Sequence, residues 1–108
     1  MVPNPASLDP AFRRFLARLV RGLRPERVIL FGSRARGDHR KASDYDLLVV
    51  AETFRAVPWA SRAALVMRLW DLPLDLEPIC LAPAEFRRRS RELSIVGVAV
   101  REGVAVYP

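Results

Sequence analysis

The segment FGSRARGDHRKASDYDLLVV, from Phe31 to Val50, places a Gly-Ser pair before an Asp-Tyr-Asp triplet that opens an apolar run. Gly32 lets the backbone approach a phosphate closely, and Ser33 adds a hydroxyl group. Asp44 and Asp46 are two residues apart at the start of a predicted strand, so their side chains share one face. Neighbouring carboxylates repel each other, and a hard divalent cation such as Mg²⁺ removes that repulsion. The segment therefore predicts a site for a metal ion and a phosphate.

Short apolar runs on both sides of this motif predict two buried strands. They are RVILF, from Arg27 to Phe31, and DLLVV, from Asp46 to Val50. Arg34 and Arg36 follow the Gly-Ser pair and add positive charge beside it. We therefore expect this end of the strands to bind the anionic part of a ligand.

The segment PLDLEPICL, from Pro73 to Leu81, predicts a third strand with Asp75 and Glu77 on one face. If this strand lies beside that of Asp46, then Asp75 supplies a third carboxylate. Three converging carboxylates are the geometry of two-metal phosphoryl transfer. Glu77 could replace Asp75, assist it or face solvent, and the spacing leaves these roles open.

Apolar periodicity predicts three helices around the strands. The first begins at an N-cap, Asp9, and ends near Gly22. The second carries a core-packing stripe between Trp59 and Trp70, and the third is the basic segment from Pro83 to Leu93. The resulting order predicts an α/β fold with helices packed on a small mixed sheet. The length, without a repeat or linker, predicts one domain over residues 1–108.

The C-terminal part allows two interpretations. The β-branched residues of LSIVGVAV, residues 93–100, favour a strand that pairs with VAVYP through a turn at REG. Ser94 could instead cap a helix that ends at Gly103. Propensity alone favours the hairpin.

Composition limits the class of partner. The net charge is +6, and 18 residues are basic, all arginine except Lys41. This charge favours an anionic partner: a nucleotide, a nucleic acid or an acidic protein. No signal peptide, membrane span or cysteine pair is evident, so we expect a cytoplasmic location. We interpret His39 as a solvated loop residue and Cys80 as a core residue.

The motif order resembles the minimal nucleotidyltransferases, the stand-alone catalytic domains of the DNA polymerase β superfamily. Their signature is Gly-Ser, a spacer and Asp-x-Asp before an apolar strand, and here RARGDHRKAS forms the spacer. LPLDLEPICLAPAEF is similar to the family's third-Asp strand and following helix, which maps the third Asp to Asp75. Glu77 departs from the apolar residue expected there. REGVAVY is similar to the family's last helix–strand junction, so the resemblance favours a helix for residues 94–102.

The resemblance implies a polymerase β-like nucleotidyltransferase fold, a two-metal Mg²⁺ site and ATP as donor substrate. The implied catalytic and metal-binding residues are Asp44, Asp46 and Asp75, and the implied nucleotide-binding residues are Gly32, Ser33, Arg34 and Arg36. Such proteins often form a toxin–antitoxin pair with a HEPN-domain protein from the adjacent gene, and some transfer AMP to a tyrosine of that partner. The leading hypothesis is therefore a protein adenylyltransferase that acts as an antitoxin. The alternatives are a catalytically silent antitoxin that works by contact and a basic nucleic-acid binder.

Overall fold

The structure is a computed structural model that describes residues 8–38 and 44–108. His39 and the rest of the spacer up to residue 43 lie outside the described residues, so the interpretation of His39 stays a prediction. The elements in chain order are α1 (Pro10–Leu23), β1 (Arg27–Phe31), α2 (Ser33–Arg36), β2 (Tyr45–Val50), a 3₁₀ helix (Glu52–Ala56), α3 (Trp59–Met67), β3 (Leu76–Leu81), α4 (Pro83–Arg89), α5 (Ile95–Glu102) and β4 (Val104–Tyr107).

The four strands form one mixed sheet in the order β3-β2-β1-β4. β1 pairs antiparallel with both β2 and β4, whereas β2 and β3 are parallel. The predicted α/β fold on a small mixed sheet is confirmed. The pairings of β2 with β1 and with β3 fix the surroundings of Asp46, because Asp46 lies opposite Phe31 on one side and opposite Glu77 on the other.

Helices cover both faces of the sheet. On one face, α1 packs its buried residues Phe12, Phe15 and Leu19 against the alternate strand residues that include Tyr45 and Leu47. On the other face, α5 packs against the intervening strand residues, and α4 contributes Phe86 at the margin. The strand residues alternate between these two cores, as the period of two requires. Asp46 therefore lies on the α4–α5 face of the sheet.

Helix α1 has the N-terminus that the sequence predicts. The Asp9 carboxylate accepts a hydrogen bond of 2.8 Å from the backbone N–H of Ala11, and Pro10 occupies the first turn. The helix runs to Leu23, one residue beyond the predicted end. Arg24 then takes the left-handed conformation, with φ 48°, and its N–H donates to the carbonyl of Val20.

Three elements are shorter than the sequence predicts. The helix predicted to reach Trp70 ends at Met67, β3 begins at Leu76 rather than Pro73, and α4 ends at Arg89 rather than Leu93. The indole N–H of Trp70 donates to the carbonyl of Leu74 at 2.7 Å, which closes a turn before the strand begins.

The predicted buried stripe of α3 is only partly buried. Val66 is fully buried, but Trp59 is 55% exposed and Met67 is 39% exposed. The buried residues of this nine-residue helix are Arg62 and Val66, which lie four positions apart on one side.

The predicted C-terminal hairpin is wrong, and the capped helix is confirmed. The Ser94 hydroxyl accepts a hydrogen bond from the N–H of Gly97, and α5 follows from Ile95 to Glu102. Val96 and Ala99 are buried against the sheet, so tertiary packing overrides the β-propensity of the segment.

Within the described residues, no helix combines the length and apolarity that a membrane crossing needs.

Candidate active site

Two carboxylates stand side by side where β2 and β3 begin. Asp46 and Glu77 are register partners on adjacent parallel strands, so their side chains point to the same face. Each is the second residue of its strand, Asp46 is half-buried and Glu77 is exposed. The backbone therefore fixes two negative charges at neighbouring positions.

The environment of Asp46 favours its protonated form. Burial, a hydrogen bond with the Glu77 carboxyl, and the charges of Glu77 and Asp44 together raise the pKa of Asp46 to about 6. The Arg36 guanidinium acts in the opposite direction and lowers this pKa. The Asp46 carboxyl is therefore protonated more readily near neutral pH than an ordinary aspartate.

Gly32 is packed directly against the Asp46 carboxylate. A Cβ atom on Gly32 would lie 2.3 Å from Oδ2 of Asp46, and the backbone at this residue has φ 75°. Both the contact and the left-handed conformation require glycine. The Gly-Ser turn and the second Asp of the triplet are thus one compact unit.

Ser33 and Arg36 belong to α2, the short helix that follows Gly32. Ser33 is its first residue, so its backbone N–H cannot reach an acceptor within the helix. The hydroxyl and this N–H lie next to the glycine that contacts Asp46. Arg36 ends α2, where its Nε donates to the Asp38 carboxylate at 3.1 Å. The structure therefore places the predicted residues Gly32, Ser33 and Arg36 near Asp46, at the end of the sheet where β1 ends and β2 begins.

Arg34 lies on the other face of the sheet. Its guanidinium carbon is 4.3 Å from the centroid of the Tyr45 ring, and Nη1 donates to the Tyr45 hydroxyl at 3.4 Å. Tyr45 points into the α1 core, where it stacks on Phe12 at 4.8 Å between ring centroids. Tyr45 is therefore a packing residue of the α1 core. Arg34 supports that packing.

The remaining predicted acids flank the pair. Asp44 is half-buried immediately before β2 and is close enough for its charge to raise the pKa of Asp46. Asp75 is exposed and precedes β3, and its carbonyl accepts from the N–H of Tyr45 at 3.0 Å. The structure therefore brings Glu77, rather than Asp75, against Asp46. The reason is the register of β2 and β3, which the sequence does not specify.

The donor set suits a hard cation. Asp44, Asp46 and Glu77 offer only carboxylate oxygens, the ligand type that Mg²⁺ prefers. Burial and the repulsion among these carboxyls raise the pKa of Asp46, and a cation would relieve the repulsion. Over residues 8–38 and 44–108, however, no three acidic, histidine or cysteine side chains already converge as a closed metal site. The carboxylates fit a cation that completes its ligand shell with substrate phosphates.

Sequence comparison agrees with this geometry. The nucleotidyltransferase domain family matches residues 10–106. The chain belongs to this family. No curated protein matches the nucleotidyltransferase domain in sequence.

Solved structures resemble this nucleotidyltransferase domain to different degrees. A presumed nucleotidyltransferase from Sulfolobus solfataricus is 25% identical, with a TM-score of 0.62 over 88% of this chain and 75% of that one. BolA1 from Arabidopsis thaliana is 18% identical, with a TM-score of 0.59 over 72% of this chain and 98% of that one. The BolA domain of SufE1 from the same plant is 21% identical, with a TM-score of 0.57 over the same shares. The two plant proteins share the fold alone.

The buried side chain of Arg62 forms hydrogen bonds near the end of β3, a role that the sequence analysis does not predict. Arg62 donates to the carbonyls of Val57 and Cys80 at 2.9 and 3.2 Å, and to the Glu85 carboxylate at 2.7 Å. Glu85 also accepts from the N–H of Ala82 at 2.7 Å, which caps α4, and these bonds lower its pKa. Burial raises the pKa of Cys80 to about 12, so its thiol is an inert core group, as predicted.

Proposed function

We propose that this nucleotidyltransferase domain transfers AMP from ATP to a hydroxyl group of a partner protein. The observation that supports this most directly is the contact between Gly32 and the Asp46 carboxylate, with Glu77 paired to Asp46. The turn that would hold phosphates and the acids that would hold a cation lie at the same end of the sheet. A binding surface alone does not need acids held this close together.

Each residue at this edge has a proposed role. The backbone at Gly32 and the hydroxyl of Ser33 bind the β- and γ-phosphates, and Arg36 adds positive charge beside them. Asp44 and Asp46 are the residues that would hold Mg²⁺, and Glu77 takes the role of third acid that the sequence analysis predicts for Asp75. When bound, Mg²⁺ neutralises the charge that develops on the α-phosphate and on the leaving group.

The transfer itself is a single displacement. The acceptor oxygen forms a bond to the α-phosphorus, the bond to the bridging oxygen breaks, and pyrophosphate leaves with the electron pair. Glu77 accepts the proton of the acceptor hydroxyl, because it is exposed at the start of β3, where an acceptor can reach it. Asp75 is the alternative proton acceptor that the sequence predicts.

We propose that the partner is a HEPN-domain protein from the adjacent gene, with a tyrosine as acceptor and with this chain as antitoxin. The family resemblance supports the type of partner. Arg87, Arg88 and Arg91 are exposed on or just after α4, and Leu93 beside them is 96% exposed. This surface, on the same side of the sheet as Asp46, suits an acidic partner with an apolar contact.

The deciding experiment incubates both proteins with ATP and Mg²⁺ and measures the partner's mass. We expect mass increases of whole AMP units on the partner, with release of pyrophosphate, and neither with Asp46→Asn. Each other nucleoside triphosphate replaces ATP in parallel reactions to identify the donor.

An unmodified partner that is still neutralised would favour the silent antitoxin over the transferase. In that case the complex forms equally well with Asp46→Asn and with the unaltered chain. Modification of the partner without a stable complex would support the transferase and contradict neutralisation by contact.

A further inference from the structure

Helix α1 exposes a row of arginines on its outer face. Arg13, Arg14, Arg21 and Arg24 are all exposed, and none of the helix's residues is acidic. At about 100° per residue, these four positions fall within an arc of roughly 100°, opposite Phe12 and the rest of the buried stripe. We call these four residues the α1 arginine row.

The α1 arginine row lies away from the candidate active site. Phe12, Phe15 and Leu19 pack α1 onto the face of the sheet that carries Tyr45. Asp46 points to the opposite face, where α4 and α5 pack. The sheet and α1 itself therefore separate the row from the acids, and a ligand on the row is independent of the phosphates proposed to bind at Gly32.

Helix electrostatics do not account for the row. Arg21 and Arg24 suit the C-terminal end of α1, where the helix dipole favours cations. Arg13 and Arg14 lie near the N-terminal end, where the same dipole opposes them. Ion pairing does not account for them either: within the described part of the chain, the α1 arginine that pairs with an acid is Arg18, bonded to Asp71 at 2.7 Å.

An open hollow lies at the C-terminal end of the row. It has a volume of about 620 Å³ and is lined by Val20, Arg21, Arg24, Pro25 and Tyr107. Tyr107 is half-buried on β4 and offers an aromatic surface next to two guanidinium groups. An aromatic ring beside cations can stack a base while the cations bind the adjacent phosphates.

The chemistry of this face distinguishes between anionic partners. Ala17 and Gly22 are the other exposed residues between Arg13 and Arg24, so no large apolar side chain of this part of the helix is among its exposed residues. Protein interfaces depend on buried apolar and aromatic anchors and are poor in charge at their centre. Phosphodiester strands are bound by rows of cations with an aromatic platform, which is the arrangement here.

From this arrangement we propose that the α1 arginine row and the Tyr107 hollow form a binding site for a single-stranded nucleic acid. The strand's phosphates lie along the row, which spans about 15 Å from Arg14 to Arg24 at the rise of an α-helix. One base enters the hollow and stacks on Tyr107. This site goes beyond the proposed transfer reaction and does not depend on it.

The test measures the affinity of the full chain for a fluorescein-labelled 12-nucleotide oligo(U) by anisotropy, from low to physiological salt. The triple variant Arg14→Gln, Arg21→Gln, Arg24→Gln is expected to bind at least about tenfold more weakly. Its slope of log affinity against log salt should fall by about 2, since each phosphate contact on a single strand contributes about 0.7.

A matched variant controls for net charge. Arg87→Gln, Arg88→Gln, Arg91→Gln removes the same three charges from the opposite face of the sheet, and in the isolated protein we expect its affinity to stay within about twofold of the unaltered chain. Equal losses in the two triple variants would overturn the site, because binding would then follow net charge alone. Absence of measurable binding by the unaltered chain at low salt would overturn it as well.

Further measurements separate stacking, the type of sugar and the class of partner. Tyr107→Leu is expected to weaken binding about fivefold or more, whereas Tyr107→Phe retains it. An unchanged affinity in Tyr107→Leu would overturn the placement of a base in the hollow.

Oligo(dT) of equal length tests DNA, and whichever of oligo(U) and oligo(dT) binds more tightly identifies the natural type of strand. A polyglutamate peptide that displaces oligo(U) at equal charge would overturn the proposal in favour of an acidic protein.

Discussion

Asp46 and Glu77 are held side by side by the register of two strands, whereas the arginines of α1 are spread over about 15 Å of one helix. Burial and, after it, the nearby Glu77 and Asp44 carboxyls raise the pKa of Asp46 to about 6. The arginines extend into water, where repulsion between them is screened over about 10 Å. Close charges fixed by the backbone suit a compact ligand such as a cation. Dispersed charges on a helix suit an extended one.

The variant with the largest expected effect on this comparison removes the charge of Asp46. Asp46→Asn is expected to reduce AMP transfer at least about a thousandfold, since the neutralisation of developing charge by a held metal contributes several kcal/mol. The measurement is transfer of label from α-labelled ATP to the partner.

Glu52→Gln is its control, because Glu52 forms an exposed ion pair with Arg55 beyond the end of β2, whereas Asp46 lies near the start of that strand. It should retain full activity. A similar loss in both variants would mean that the assay reports charge or folding instead of the active site.

The second test compares Glu77 with Asp75. Because Glu77 is the register partner of Asp46, Glu77→Gln should slow transfer about a hundredfold, the usual scale for loss of a base. Asp75→Asn, at the exposed position before β3, should cost less than about threefold. Rates at saturating ATP for both variants decide the ranking. The opposite ranking would restore Asp75 as the third acid, as the sequence alone predicts.

The third test fills the space between the turn and the acid. Gly32→Ala should lower the free energy of unfolding by about 1–3 kcal/mol, since it combines a positive φ with a 2.3 Å contact to the Asp46 carboxylate. It should also abolish transfer. Gly22→Ala is the matched control, because its Cβ would meet Leu69 Cδ1 at an ordinary 3.5 Å. This variant should stabilise the protein by about 0.5–1 kcal/mol in urea unfolding, and a loss there would contradict the assignment of strain to Gly32.

The smallest expected effect is on stability without metal. The pKa of Asp46 is raised in the folded protein, so its ionisation destabilises the fold as pH rises from about 4 through about 6. Asp46→Asn cannot ionise and should be more stable at pH 7.5. The rise in the pKa of Asp46 from its ordinary value to about 6 corresponds to about 3 kcal/mol, which solvent screening of this partly exposed group reduces to about 1 kcal/mol, or about 4–8 °C in melting temperature.

Near pH 4 the melting temperatures of the two proteins should coincide in the presence of a chelator. A constant difference at both pH values would show that packing, instead of ionisation, causes the change. Mg²⁺ with ATP should raise the melting temperature of the unaltered chain and leave that of Asp46→Asn unchanged.

Local chemistry in the sequence was sufficient for several parts of this protein. The Asp9-Pro10 start of α1, the strands RVILF and DLLVV, and the alternation that directs Tyr45 inward and Asp46 outward all follow from short-range rules. The order of the elements also predicted the α/β class. Each of these features depends on neighbouring residues within one element, and the printed sequence contains all of that information.

Tertiary structure decided the rest, because those features depend on which segments lie side by side. The register of β2 with β3 places Glu77 instead of Asp75 beside Asp46, and no local signal specifies it. Burial of Val96 and Ala99 makes a helix of a β-branched segment. The packing of α1 on one face of the sheet separates its arginines from the acids on the other, so that charges mixed along the chain become two surfaces in space.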